Sequence, residues 1–229
     1  MGRGQAQRFS ATVPSISPFD PRGAKLSNVS LIPPLQEEDI RKLRIGDSVH
    51  VTGIVYGIRD ATQIRIFDEG VKPPVDLSGS VCLHTAPNVK KIGDRYYPVC
   101  VGTTTSTRME RFTPGLLEHY GVRAIVGKGG LLDESVRAMQ KFGGCYLAIV
   151  GGAAALETTQ IEAIEEVYWE DLMPECIWKF RVKDLGPLTV AIDSHGGDLY
   201  AQVKNEARKK MQGLLQELSR SESKNKLKN

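Results

Sequence analysis

The sequence predicts a mixed α/β fold with one hydrophobic core and a flexible tail at each end. The chain has 229 residues, of which 41% are hydrophobic, and this is enough to bury one sizeable core. Strand-like patterns come first, and helical and strand-like segments alternate from about residue 104 onward. We therefore expect a single domain with a mixed sheet at 36–215, a flexible N-terminal extension at 1–35 and a disordered basic tail at 216–229.

The first half of the domain is expected to open with a short helix and to continue as strands. Glu37–Leu43 has a helical pattern that ends near Gly46. Valines then alternate with polar and small residues across 47–57, as in a strand that is buried on one face. Two short apolar runs, Val81–His84 and Tyr96–Val101, predict two more strands.

The second half carries clear helix start and stop signals. Thr113 and Pro114 form a cap and first-turn pair, which predicts a helix that ends at Tyr120-Gly121. Asp133 can cap a second helix that closes at Gly143-Gly144. The remaining predicted elements are strands at Val122–Val126, Cys145–Val150, Ile177–Val182 and Leu188–Asp193, a long helix at 153–169 and a charged helix at Asn205–Ser219.

The basic residues are concentrated in the two tails. The whole chain carries a net charge of +3, residues 1–30 carry +3, and residues 214–229 carry +2, which leaves −2 on the folded body. A nucleic-acid-binding protein needs a basic face on its folded body, so this class is not expected. No run of eighteen apolar residues occurs, so no membrane span is expected either.

The N-terminal residues do not decide in which cellular compartment the protein is located. The first nineteen residues contain arginine but no acid, which is weakly similar to an organelle transit peptide. A plain extension is favoured, and a cytoplasmic location is expected. The cysteines Cys82, Cys100, Cys145 and Cys176 form no close pair, so we expect them to be reduced and to hold no metal.

Three motifs could carry chemistry, and each follows a predicted strand. In Val101–Arg108, hydroxyl residues crowd a turn before a helix start, where N–H groups and an arginine fork can bind an anion. A Thr-rich helix N-cap followed by a surface arginine would have the same sequence pattern. In Val126–Gly130, glycines flank Lys128 and would let the backbone approach a ligand closely. The same pattern also fits a tight turn with a solvated lysine. The third motif, Gly57–Asp60, places an arginine beside an acid that could orient it.

Two well-known phosphate-binding patterns fail on spacing around Lys128. A P-loop would need one residue fewer between Gly121 and Gly127, and a dinucleotide fingerprint would need glycine at Leu132. The three motifs offer two arginines, one lysine and two threonines at strand ends, where α/β sheets collect ligands. That inventory favours a small, doubly anionic substrate.

The same motifs resemble a known family. The resemblance rests on four segments, which are Gly57–Asp60, Gly102–Glu110, Gly127–Gly130 and Ile164–Glu175. A fifth segment, Gly186–Gly196, supports it. Their order and spacing resemble the β-type domain shared by class I fumarate hydratases and L(+)-tartrate dehydratase. The resemblance implies a swivelling β/β/α-type domain and reversible addition of water to a C4 dicarboxylate, with fumarate/malate as the first choice and L-tartrate to oxaloacetate as the second.

The resemblance also implies a cofactor, a partner and a set of site residues. A [4Fe–4S] cluster would be held by an α-type subunit and not by this chain, and the assembly would be α2β2. Arg59, Thr104, Thr105, Arg108 and Lys128 would bind substrate. Of these, Thr104 would take the proton from carbon, and Lys128 and Arg59 would also be catalytic. Asp60 would orient Arg59.

One departure from the family bears on activity. The family usually has a histidine with an acid–base role at the position of Gln63, and an amide cannot shuttle protons near neutral pH. A non-catalytic dicarboxylate-binding module derived from the family therefore stays open as an alternative. An unrelated phosphate-binding α/β domain is the third hypothesis, and the failed P-loop spacing counts against it.

Overall fold

The structure is a computed structural model that describes residues 27–150, 152 and 154–226. Its strands are β1 (Asn28–Leu31), β2 (Ser48–Ile58), β3 (Val81–His84), β4 (Asn88–Ile92), β5 (Arg95–Cys100), β6 (Ala124–Gly127), β7 (Cys145–Ala148), β8 (Ile161–Tyr168) and β9 (Ile177–Ile192). Its helices are α1 (Glu37–Arg41), α2 (Asp60–Phe67), α3 (Thr113–Tyr120), α4 (Asp133–Phe142), α5 (Ala154–Thr159) and α6 (Leu199–Lys226), with 3-10 helices at Ser106–Phe112 and Glu170–Leu172.

The main sheet closes on itself. Its strand order is β1-β2-β3-β6-β7-β9-β8, and β9 also pairs with β2, so β2, β3, β6, β7 and β9 form a ring. Strands β1, β2, β3, β6 and β7 run parallel to their neighbours, and β9 is antiparallel to β2, β7 and β8. The predicted single mixed α/β domain with a mixed sheet is confirmed.

The core lies on both faces of this ring. One apolar cluster draws alternate residues from the ring strands, such as Val55, Leu83, Val126 and Phe180. The other cluster combines the opposite faces of the strands with side chains of α3 and α4, such as Met139. The first cluster therefore fills the ring, and the second seats the helices outside it.

The predicted helices α3 and α4 are confirmed. Pro114 lies in the first turn of α3, and Gly121 ends that helix in the left-handed conformation with φ 64°. Gly143 ends α4 in the same way with φ 69°. After these two glycines the chain continues into β6 and β7. These strands are parallel, so their carboxyl ends lie at one edge of the sheet.

The predicted long helix at 153–169 is wrong. The chain forms the short helix α5 and then the strand β8, which pairs with β9. Alanine and glutamate favour a helix locally, but Glu165 pairs across the ladder with Lys179 and Arg181. Tertiary pairing therefore overrides local propensity here.

Strand β9 is a single element where two strands were predicted. The polar residues between the two predicted strands stay in the ladder, with φ 55° at Asp184 and register shifts against β2 on both sides of Val51. Irregular backbone accommodates these residues without a loop, so one strand joins β2, β7 and β8.

Both predicted domain boundaries are displaced by the observed elements. Strand β1 pairs with β2, and Leu31 and Leu35 are buried, so the folded body starts before residue 36. Helix α6 starts earlier than predicted and runs to Lys226, through most of the predicted tail at 216–229. Its sequence is rich in good helix formers such as alanine, leucine, glutamate and lysine. Residues 1–26 and 227–229 lie outside the described part of the chain.

Candidate functional site

The three predicted motifs lie at one edge of the sheet. Strands β2, β3 and β6 are parallel neighbours, so their carboxyl ends lie side by side. Arg59 follows β2 and Lys128 follows β6. The Thr-rich loop lies between them, because the Thr104 N–H donates to the carbonyl of His84 (2.8 Å) and a β-bridge joins Thr105 to Lys128. All six residues predicted for the site are therefore near this edge.

Asp60 lies between the two arginines. Its carboxylate accepts from Arg108 Nε (3.3 Å to Oδ1) and Arg108 Nη2 (2.9 Å to Oδ2), and from Arg59 Nε (3.2 Å). Partial burial pushes the pKa of Asp60 upward, but the hydrogen bonds and charge of Arg108 outweigh it and hold the pKa below its usual range. Asp60 therefore stays ionised and orients both arginines.

Arg59 has a second acidic partner that the motif reading did not include. Its Nε lies 3.3 Å from Glu175 Oε1, and Glu175 Oε2 accepts the N–H of Ala61 (2.9 Å) in the first turn of α2. Glu175 lies in the segment 164–175 that carried the family resemblance, which was the available signal. It is far from Arg59 in sequence, so only the folded strands bring the two together.

The Arg108 guanidinium keeps hydrogen-bonding capacity for a ligand. Its Nη2 also donates to Thr104 Oγ1 (3.2 Å), and its Nε and Nη2 engage Asp60. The Nη1 group makes no hydrogen bond to the described residues. Because the side chain is 47% exposed, an anion can reach it from solvent.

Lys128 is held by its backbone in a turn with little room. Its carbonyl accepts the N–H of Ser106 (2.9 Å). A Cβ on Gly127 would lie 2.0 Å from Ser106 Oγ, and one on Gly129 would lie 2.9 Å from Thr105 Cγ2. Glycine is therefore required on both sides of Lys128 by close packing. Among the described residues, the Lys128 ammonium has no ion-pair partner.

Glu157 of α5 is a buried acid whose pKa is affected by the charge of Lys128. The residue is only 1% exposed, and its Oε2 has no hydrogen-bond partner within the described chain. Burial raises the pKa of Glu157 to about 7, although the charge of Lys128 acts to lower it. Sequence reasoning missed Glu157, because the segment was read as one long helix.

A buried polar chain lies beneath the loop. His84 Nδ1 lies 2.9 Å from Ser106 Oγ, and the Tyr146 hydroxyl donates to the same oxygen (3.0 Å). Burial lowers the pKa of His84 to about 3. This contact could not be predicted from the sequence, because the three residues come from separate elements.

Gln63 lies one helical turn after Arg59, and its side chain is buried with Oε1 unpartnered among the described residues. It is 0% exposed, and its Nε2 lies 2.9 Å from Met109 Sδ and 3.4 Å from the Arg59 carbonyl. In this fold the side chain at position 63 packs between α2 and the 3-10 helix.

The cysteines are scattered and three of the four are buried. Burial raises the pKa of the Cys82 and Cys176 thiols to about 12, and it raises the pKa of Cys145 as well. Within the described ranges, no three His, Cys, Asp or Glu residues lie close enough together to hold a metal ion. These residues therefore do not fit an iron–sulfur cluster. No helix of the described part has both the length and the apolar character needed to cross a membrane.

The site is suited to a small anion with more than one negative group. Arg59, Arg108 and Lys128 supply three cations, and Thr104 and Thr105 supply hydroxyls beside them. Forked guanidinium groups match carboxylates in particular. Ser106 Oγ, the hydroxyl that is hydrogen-bonded to a histidine, is fully buried beneath the loop with His84.

A family model and several named relatives match this chain. The model for the fumarase C-terminus matches residues 6–203. The L(+)-tartrate dehydratase subunit beta of Escherichia coli (strain K12) is 42% identical over 175 residues, which cover 76% of this chain and 87% of that protein.

Two more distant organisms provide further matches. The putative L(+)-tartrate dehydratase subunit beta of Methanocaldococcus jannaschii is 36% identical over 186 residues, covering 79% of this chain and 95% of that protein. The putative fumarate hydratase class I of Geobacillus stearothermophilus is 37% identical over 185 residues, covering 80% of this chain but 35% of that protein.

Proposed function

Because the chain belongs to the fumarase C-terminus family, we propose that it is the β subunit of an iron–sulfur hydro-lyase that adds and removes water on a C4 dicarboxylate. One observation carries the proposal. Arg59 after β2, Lys128 after β6 and Arg108 of the 3-10 helix lie at one sheet edge, where the two arginines share Asp60. Such a group matches the two carboxylates of the substrate.

The arginines bind and orient the substrate in this proposal. Arg108 keeps its bidentate contact with Asp60 and binds one carboxylate through its Nη1 protons. Arg59, fixed by Asp60 and Glu175, binds the other carboxylate. Lys128 and the hydroxyl of Thr105 contact the remaining oxygens. Both arginines are already anchored by acidic partners, so they lose little rotamer freedom on binding.

Thr104 takes the proton from carbon. A threonine hydroxyl is a poor base in water, so the oxygen needs neighbouring positive charge to hold a proton-accepting form. Arg108 Nη2 lies 3.2 Å from Thr104 Oγ1, and its charge supports this role. Lys128 and Arg59 stabilise negative charge on the substrate during the same step.

The cluster ligands are placed on a partner subunit. A [4Fe–4S] cluster supplies Lewis-acid chemistry in this family, and the described residues of this chain do not gather a ligand set for it. An α-type subunit therefore carries the cluster cysteines and covers the strand ends at Arg59, Thr104 and Lys128. We extend this to an α2β2 assembly in the cytoplasm.

Fumarate/malate is the first choice of substrate, and L-tartrate is the second. Fumarate/malate and L-tartrate both carry two carboxylates on a four-carbon chain. The relatives named above include both tartrate dehydratases and a fumarate hydratase. The site chemistry therefore sets the class of substrate, and assays must choose the acid.

The non-catalytic alternative depended on Gln63. Because this side chain is fully buried against Met109, its identity bears on packing of α2 more directly than on proton transfer. Turnover of the complete enzyme decides between the enzyme and the binding module.

The proposal is tested by turnover of the complete enzyme. The chain is co-expressed anaerobically with the matching α subunit, the cluster is reconstituted, and hydration of fumarate and dehydration of L-malate and L-tartrate are measured. Turnover of one acid that is abolished by Lys128→Ala supports the proposal and identifies the substrate. A complex with an intact cluster and no turnover on any of the three acids contradicts it.

A further inference from the structure

His84 has an unused hydrogen-bonding atom at the base of the site. The residue ends β3 and is 0% exposed, and its carbonyl accepts the N–H of Thr104 (2.8 Å). Its ring Nε2 is buried and has no partner within the described residues. An unpaired buried polar atom of this kind costs free energy, so it points to an acceptor or donor that joins it in the working protein.

The neighbours of the ring determine which nitrogen carries the proton. The Tyr146 hydroxyl donates to Ser106 Oγ (3.0 Å) and receives the N–H of Gly130 (3.4 Å). The Ser106 hydroxyl must then direct its own proton to His84 Nδ1, 2.9 Å away. Nδ1 is therefore an acceptor, and the proton of the neutral imidazole lies on Nε2.

The opposite tautomer leaves more groups unpaired. If Nδ1 donated to Ser106, Ser106 would donate to Tyr146, and the Tyr146 proton would have no described acceptor. Nε2 would still lack a partner. In the Nε2–H form, the Tyr146 and Ser106 hydroxyl protons both have acceptors, and only the Nε2 proton has none among the described residues.

The imidazole is a donor and not a proton shuttle. Burial lowers the pKa of His84 to about 3, so the ring stays neutral throughout the physiological range. The charges of Asp60 and Arg108 act on the pKa of His84 in opposite directions. The backbone contact of His84 with Thr104 joins the residue to the site loop. A neutral donor in this place adds a hydrogen bond without adding a fourth positive charge.

We propose that His84 is a positioning residue of the site, held as the neutral Nε2–H tautomer by Ser106 and Tyr146, and that this N–H donates to an oxygen of the bound dicarboxylate or of a buried water next to it. The inference rests on the proposed function for the identity of the anion. The tautomer itself does not depend on that identity.

The tautomer can be measured on the full-length chain. Long-range ¹H–¹⁵N spectra of the protein labelled at its four histidines report which ring nitrogen carries a proton, and His84→Gln assigns the His84 signals. We expect an Nε2–H pattern that does not titrate between about pH 5 and pH 8. An Nδ1–H pattern or an imidazolium overturns the proposal.

Addition of L-tartrate or L-malate to the same sample identifies the acceptor. A change in the Nε2 signal on addition assigns the acceptor to the dicarboxylate. An unchanged signal whose proton is already protected from exchange with solvent assigns it to a buried water. A rapidly exchanging Nε2 proton in both samples contradicts the proposal.

A pair of substitutions tests the role in turnover. The amide of Gln reaches as far as Nε2, whereas the amide of Asn reaches only as far as Nδ1. In the reconstituted complex, kcat/KM of His84→Asn should fall about tenfold below that of His84→Gln, since a lost hydrogen bond in a buried site has about that effect. Equal kcat/KM for the two variants overturns the positioning role.

Two controls separate this test from other failures. The melting temperatures of the Asn and Gln variants are compared, because equal stability excludes a purely structural cause of the difference. Turnover by the wild-type complex tests the proposed function alone. A wild type without turnover but with the Nε2–H tautomer would refute the proposed function and leave the tautomer assignment intact.

Discussion

Asp60 fixes the two arginines of the site without facing the substrate itself. It receives hydrogen bonds from Arg59 and from two atoms of Arg108. Asp68 holds Arg111 through an equivalent two-atom contact on the exposed surface (2.8 and 2.6 Å). The two pairs have similar geometry, but only the first belongs to the site, so they provide a matched comparison.

Asp60→Asn should raise KM about tenfold and lower kcat less. The neutral amide accepts fewer hydrogen bonds, and both arginines lose their charge-assisted anchor. Steady-state kinetics of the complex measure the effect, with Asp68→Asn as control. Equal KM values for the two variants would argue against the orienting role.

The Asp60 contact should also stabilise the fold in a pH-dependent way. The folded-state pKa lies below the ordinary value, so the stabilisation is present above about pH 4 and is lost as the pH falls through the folded pKa. The melting-temperature difference between wild type and Asp60→Asn should shrink below about pH 4. A difference that stays constant down to pH 3 would contradict this explanation.

Glu157→Gln should change stability in the opposite pH window. The folded protein holds the Glu157 proton up to about pH 7. The unfolded chain releases that proton near pH 4.3, so wild-type stability falls as the pH rises between these values. The variant lacks this titration, and its melting temperature should exceed that of wild type by about 2–6 °C above pH 7. Thermal unfolding from pH 4 to pH 8 measures the difference, and a pH-independent offset would contradict the raised pKa.

The turn after β6 depends on close packing around glycine. A Cβ on Gly127 would collide with Ser106 Oγ, whereas Gly213 of α6 has nothing within 4 Å of an added Cβ. Gly127→Ala should therefore destabilise the chain by about 1–3 kcal/mol and move Lys128. Gly213→Ala should leave stability unchanged or raise it slightly. Denaturant unfolding measures both variants, and similar stabilities would show that the turn tolerates a side chain.

Much of the site could be predicted because its residues follow apolar runs directly. Arg59, Arg108 and Lys128 each come just after a strand or in the first turn of a helix, and parallel strands bring such positions to one edge. Glu175 and His84 could not be assigned in this way. Their positions in the site depend on pairing between strands that are distant in sequence.

A similar physical reason explains why strands β8 and β1 were not predicted. The segment 161–168 contains good helix formers, and only its pairing with β9 makes it a strand. Strand β1 has only four residues and is followed closely by Pro33 and Pro34, so its pairing with β2 could not be foreseen from local pattern. Helix α6 differs, since it runs past its predicted end at Ser219 to Lys226.

The assembled enzyme should bury the site edge under the α-type subunit. Complex formation should slow hydrogen exchange in the segments 102–108 and 127–130, because the partner must reach substrate held there. The hairpin β4–β5 serves as an internal reference. Protection of the hairpin alone, with unchanged exchange at the two site segments, would place the interface elsewhere.

The most direct test of the account compares Arg108→Ala with Arg111→Ala in the reconstituted complex. Both arginines lie on the same 3-10 helix and bind an aspartate, but only Arg108 lies beside Thr104. We expect kcat/KM for the dicarboxylate to fall about 100-fold for Arg108→Ala, about 2.7 kcal/mol, and by less than about threefold for Arg111→Ala. If Arg108→Ala retains the kinetics of Arg111→Ala, the cations at this sheet edge do not bind the substrate and the site assignment is wrong.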